Sequence, residues 1–142
     1  MKAASIEELA DAWIALERAE EGSKEYEDHF WSFDDVYDLT HEVPDEAWKF
    51  ILAVLGRASD NRIMEVLSAG PVEDLLVYHG AAVIERVEEE AKRNPTFAQL
   101  LGGVWKNQQS DDVWRRVQAV RDRRGWDGVS EREPNQPPEP TR

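Results

Sequence analysis

The chain contains no cysteine, which excludes disulfides, thiolate zinc sites and cysteine nucleophiles. No apolar run approaches the roughly 18–20 residues that a membrane span needs, and no signal peptide precedes the acidic first helix. A cytoplasmic protein without a membrane partner is therefore expected. No stretch alternates apolar and polar residues for long enough to predict a strand. An internal period of roughly 30–45 residues is also absent, which argues against a long solenoid while leaving room for a short stack of helical pairs.

Positive charge is scarce as well. Among 142 residues, 30 are acidic and 17 basic, giving a formal net charge of −13. The imbalance is local: residues 1–60 hold 16 Asp/Glu against 5 Lys/Arg, whereas residues 61–142 hold 14 against 12. An acidic half of this kind repels phosphate backbones and attracts cationic partners. Direct binding of nucleic acid is not expected, although a plain solvated face would also explain the acids. The one basic cluster is Arg115, Arg116, Arg121, Arg123 and Arg124. Asp111 and Asp112 lie four residues before Arg115 and Arg116, so intrahelical pairing accounts for those two. The remaining arginines suit the negative end of the same helix.

What is present is helical punctuation. Ser5 with Glu8 forms a capping box, and Ile6, Leu9, Trp13 and Leu16 recur at helical spacing, predicting a helix over 5–22. Further helices are predicted over 24–41, where Ser32 and the aromatics allow a break, and over 44–57, where Pro44 occupies the first turn. A short helix from Asp60 is expected to end at Ala69-Gly70, and Pro71 to begin another that runs to 93. Gly80 lies inside that helix and marks either close packing or a break. Asn94-Pro95 stops it, a short turn follows at 97–101, and Ser110 caps a last helix over 110–124. The fold expected is all-α, a single compact domain of six or seven helices over residues 1–126. Pro134, Pro137, Pro138 and Pro140 make 127–142 read as a disordered tail.

Two segments stand out from the punctuation. One is Ala69-Gly70-Pro71-Val72-Glu73-Asp74-Leu75-Leu76, closing with His79-Gly80; the other is Leu100-Leu101-Gly102-Gly103-Val104-Trp105, followed by Asp112-Val113-Trp114. Together they resemble a bacterial family of small domains of unknown function, over residues 45–126. The resemblance implies a helical domain and brings no activity or cofactor with it. Helical domains of this general sort also occur beside toxin–immunity loci, a looser association that transfers no functional residue.

The residues themselves give little support for catalysis. His79 follows Asp74 and Glu73 by five and six positions, about 140° and 240° around a helix, so the three do not share a face. Gly102-Gly103 lacks the strand and third glycine of a nucleotide loop. Ser68 and Ser110 lack a nucleophile-elbow context. Glu25 with His29, and His41 with Asp45, are isolated pairs, whereas a metal site needs three or four convergent ligands. No metal and no cofactor is expected.

Two functions follow as expectations. The first is a non-catalytic protein-binding domain, of the immunity-inhibitor or adaptor type. It would meet a basic partner such as a nuclease toxin through Glu27, Asp28, Trp31, Asp34, Asp35 and Asp38, with Trp31 as the exposed aromatic anchor. The second is a small enzyme or ligand-binding domain in which Glu73, Asp74, His79 and Trp105 converge on a pocket. Self-association, with the acidic half of one copy on the basic helix of another, is a third arrangement. Trp13, Trp48, Trp105 and Trp114 read as core, and Trp126 is placed to fold back as a hydrophobic clasp.

Overall fold

Ser5 accepts a hydrogen bond from the N–H of Glu8 at 3.1 Å, and the Glu8 carboxylate accepts one from the N–H of Ala4. That local closure starts the first of eight α-helices in a computed structural model describing residues 3–126. The helices are α1 (Ile6–Arg18), α2 (Lys24–His29), α3 (Trp31–Glu42), α4 (Pro44–Arg57), α5 (Asn61–Leu67), α6 (Glu73–Arg93), α7 (Pro95–Leu101) and α8 (Asp111–Val120). A π-turn, Ser68–Val72, joins α5 to α6. No β-strand occurs among the described residues. The tail expected over 127–142 lies outside them.

Helix α1 packs on α4 and is flanked by α2 and α3, while α6 contacts α3, α4, α7 and α8. One core runs through the whole, from Leu9 and Trp13 through Phe50, Ile84 and Phe97 to Val117. Trp13 meets Phe50 edge-on at 5.7 Å, and Trp48 meets Phe97 at 5.4 Å, geometries favoured by the aromatic quadrupole.

Four boundaries depart from those predicted. The first helix ends at Arg18 rather than at 22, and Gly22 takes φ +85° in the turn that follows. The stretch 24–41 breaks at Phe30, where Ser32 Oγ donates to the carbonyl of His29 at 2.7 Å. Pro71 begins no separate helix. Backbone dihedrals stay helical across the segment, and the wider π register carries the proline, whose missing N–H and ring do not fit an α-helix interior. The last helix stops at Val120, so Arg121, Arg123 and Arg124 lie beyond it rather than in its final turn.

Both glycines singled out inside α6 and after α7 are sites of close approach. A Cβ on Gly80 would lie 3.0 Å from both methyls of Val113, which sets how closely α8 sits on α6. Beside Gly80, His79 takes φ −136° and ψ 24°, so α6 bends there. The chain after α8 then folds back over α7. The N–H of Asp122 donates to the carbonyl of Ala98 at 2.9 Å, Arg123 to that of Gly102 at 2.7 Å, and the Trp126 indole to that of Gln99 at 2.7 Å. Trp126 is buried against Gly103, where an added Cβ would stand 2.3 Å from the ring.

Gly103→Ala should therefore destabilise the fold by about 1–3 kcal/mol through overpacking, read as a lower urea midpoint. In the Trp126→Ala background the same substitution should cost much less, because the atoms it strikes are gone. Additive losses would show that the clasp is not what Gly103 accommodates.

Candidate functional site

The inner stripe of α3 is Ser32, Asp35, Val36, Leu39 and Thr40. Three of these five are polar, and each has its partner close by. Ser32 bonds to the His29 carbonyl, Thr40 Oγ1 donates to the Tyr37 carbonyl at 3.0 Å, and Asp35 accepts from the N–H of Ala3 at 3.1 Å. Burial of these groups is tolerable because they are hydrogen-bonded.

The outer stripe carries the larger aromatic side chains. Phe30, Phe33 and Tyr37 are 41%, 49% and 52% exposed, at the three- and four-residue spacing of a single helix face. Their rings form a row: Tyr26 to Phe30 at 5.7 Å and Phe30 to Phe33 stacked at 5.6 Å. Past Tyr37 it continues through His41, stacked at 3.9 Å, to Tyr78 of α6 at 4.0 Å. His41 Nδ1–H donates to the Tyr37 carbonyl at 2.7 Å, which fixes the plane of that ring.

This arrangement corrects two of the six residues expected at a docking face. Asp35 is buried and acts as an internal cap. Trp31 is half-buried and packed against the core, so the exposed anchors are its neighbours Phe30 and Phe33. Glu27, Asp34 and Asp38 are exposed, as is Asp28, which pairs with Lys24 at 2.7 Å.

Behind the aromatic row lies an open-sided groove of about 110 Å³. Trp13 and Glu17 of α1 form one side and Phe33, Tyr37 and Thr40 of α3 another; Gly70, Pro71 and Asp74 close it. The π-turn shapes this third wall, so the first sequence motif and the acidic aromatic segment meet at one place. Two carboxylates stand in mostly apolar surroundings there. Burial pushes the Glu17 carboxyl above its ordinary range, with Arg62 at 3.9 Å offsetting part of the effect. Burial likewise raises Asp74, partly offset by His41.

The other expected cluster does not gather around a common centre. Glu73 is buried, accepts from Asn107 Nδ2 at 2.6 Å and from the backbone N–H of Trp105, and is itself raised by burial. His79 Nε2–H donates to the His41 carbonyl at 2.8 Å, tying the bend of α6 to the end of α3. Asp74 faces the groove. Glu73 and Trp105 thus join the start of α6 to the loop before α8, His79 joins two helices, and only Asp74 lines the groove. Among the described residues, no three His, Asp or Glu side chains come together as a group able to hold a metal ion.

The arginine cluster is taken up within the fold. Arg115 pairs with Asp112, and Arg116 reaches across to Glu88 of α6 at 2.5 and 2.9 Å instead of pairing within α8. Arg121 lies 5.2 Å over the Trp114 ring, and Arg124 holds Asp122 at about 2. Among the described residues, no helix is long and apolar enough to cross a membrane.

Residues 19–125 match the model of a family of unknown function (DUF6869), and the chain belongs to that family. The match begins ahead of α2 and so takes in the aromatic row as well as both motif segments. No curated protein and no solved structure matches the chain.

A carboxyl raised by burial binds its proton more tightly in the folded state, so stability falls as pH rises from its unfolded value through its folded one. Ionised Glu17 and Asp74 thus cost stability at neutral pH, a cost absent below the ordinary carboxylate range. Asp74→Asn should raise the urea midpoint at pH 7 relative to the parent, and the gain should shrink towards pH 4. A gain of equal size at both pH values would rule out the ionised carboxylate as its source.

Proposed function

We propose that this chain is a non-catalytic helical binding domain that docks a basic protein through the exposed face of α2 and α3. The observation that carries this reading is the inversion of α3, which buries Ser32, Asp35 and Thr40 while presenting Phe33 and Tyr37 to solvent. Exposed aromatics grouped on one helix face are an unusual thing for a monomer to leave uncovered and a common thing for an interface to use. Glu27, Asp34 and Asp38 are the acids around it, and they supply electrostatic preference for a cationic surface. An immunity-type inhibitor covering the active site of a nuclease, in the bacterial cytoplasm, is the form of partner that this chemistry suits best.

The reading of a small enzyme built on Glu73, His79 and Trp105 draws less support, since hydrogen bonds within the fold already occupy those groups. Self-association through α8 is also less favoured, because Arg115 and Arg116 are engaged internally.

Capture from source cells at low salt, repeated at about 0.5 M salt where the Debye length is about 4–5 Å, should recover one basic protein whose binding weakens. Against that partner, the Glu27→Lys, Asp34→Lys, Asp38→Lys variant should associate at least about tenfold more slowly with an unchanged circular dichroism spectrum. Phe33→Ala and Tyr37→Ala should act on dissociation instead. Association of the triple variant at the parent's rate would remove the electrostatic part of the proposal.

A further inference from the structure

The groove behind the aromatic row differs in chemistry from the face in front of it. Its lining is mostly hydrocarbon and ring: Trp13, Phe33, Tyr37 and Pro71. Into that lining α1 and α6 each contribute one carboxylate, Glu17 and Asp74. Neither is neutralised by a close internal cation. Arg62 approaches Glu17 only to 3.9 Å, with its own side chain 60% exposed. Asp74 has no hydrogen-bond donor among the described residues, and His41 only partly offsets the cost of its burial.

From this we infer that the groove is a socket for a single arginine side chain of the basic partner, the guanidinium lying between Glu17 and Asp74 and against the rings of Phe33 and Tyr37. The inference rests on the docking reading above and names the contact at its centre. Charge complementarity selects a cation. The rings favour a guanidinium over an ammonium, because it is planar, stacks on aromatic faces and is the more weakly hydrated of the two. With about 110 Å³ and one open side, the groove admits one extended side chain and leaves its backbone outside. An incoming cation would also relieve both carboxylates of the cost of ionising in apolar surroundings.

No other feature leads as far. The hollow beside Trp126, between Asn61, Met64, Glu65 and Gln99, carries one carboxylate and no aromatic row in front of it. The ring sandwich of Tyr37, His41 and Tyr78 shares Tyr37 with the same groove.

The test uses the full chain and three probes: N-acetyl-arginine methylamide, its lysine counterpart and the uncharged citrulline counterpart. Each is titrated while the Trp13 indole N–H and the amides of Gly70 and of residues 72–74 are followed by NMR. The arginine probe should shift these signals saturably. Citrulline should bind at least about tenfold more weakly, as loss of charge-assisted pairing requires, and lysine should fall between. The Glu17→Gln, Asp74→Asn variant should bind arginine and citrulline alike. Both changes are near-isosteric and remove unfavourable charge, and an unchanged dichroism spectrum would verify the fold.

Equal binding of arginine and citrulline by the parent would overturn the socket, as would shifts that survive the double substitution. The captured partner separates this failure from failure of the docking reading. If the Glu17→Gln, Asp74→Asn variant retains the partner at full affinity while the Glu27, Asp34, Asp38 reversal loses it, the socket falls and the docking face stands. If the reversal retains the partner while the arginine probe still selects the groove, the electrostatic face falls and the cation site stands.

Discussion

Everything on the exposed face of α2 and α3 follows from which stripe of α3 turns inward. A helix with two stripes of similar hydrophobicity has no strong preference from burial alone, so hydrogen bonds decide. Asp35 reaches the N–H of Ala3 only when α3 is rotated with Asp35 inward, and that bond also pins the entry to α1. Val36 and Leu39 supply the apolar part of the same contact. With the inward stripe set, Phe30, Phe33 and Tyr37 have nowhere to go but outward, and a groove opens where Tyr37 and Phe33 overhang α1 and the π-turn.

The two motif segments serve mainly as joints around α6. Glu73 at its start holds Asn107, which sits at φ +48°, a left-handed conformation that asparagine tolerates better than most residues. That bond ties the first motif to the loop carrying the second. Farther on, the bend at His79 and the bare backbone of Gly80 let α8 seat on α6 while α6 still meets α3. The glycines at 102 and 103 leave room for Asp122 and Trp126 to close over α7. Asp74 is the exception among these residues, since the π-turn directs it into the groove and gives it nothing to bond.

Local signals in the sequence were legible and distant ones were not. Ser5 and Ser110 cap the helices expected of them, because a cap is settled within three residues of chain. Gly80 was legible as a place of close packing or a break, but what packs there depends on tertiary contact. Pro71 misled because proline so often begins a helix; the alternative, a π-turn that keeps the axis running, leaves no compositional trace. The inversion of α3 misled for the opposite reason. Hydrophobicity ranks Phe33 and Tyr37 above Ser32 and Thr40, and the ranking is overturned only by hydrogen bonds to carbonyls and to a segment some thirty residues away. Two interleaved stripes over 30–40, one aromatic and one mixed, were the available hint that one face of this helix stays outside.

The strong acidity of the first 60 residues is not itself the recognition device. Arg18 is paired with Asp60, Arg57 with Asp11, Lys49 with Glu46 and Lys24 with Asp28, so the described cations of that half are spent on acids lying away from the aromatic row or at its edge. Glu27, Asp34 and Asp38 have no such counterweight among those pairs. Their field is screened within about 8 Å at physiological ionic strength, so it acts only over the last stage of approach. Charge of that range governs how often a cationic partner arrives in a useful orientation, whereas how long it stays depends on what is desolvated on contact. The groups that can be desolvated here are the rings of Phe33 and Tyr37 and the two carboxylates behind them, and a partner offering only diffuse positive charge would engage none of these. On the proposed docking reading, discrimination among basic proteins would therefore fall to the groove, and the acidic surface would set the rate at which candidates are tried.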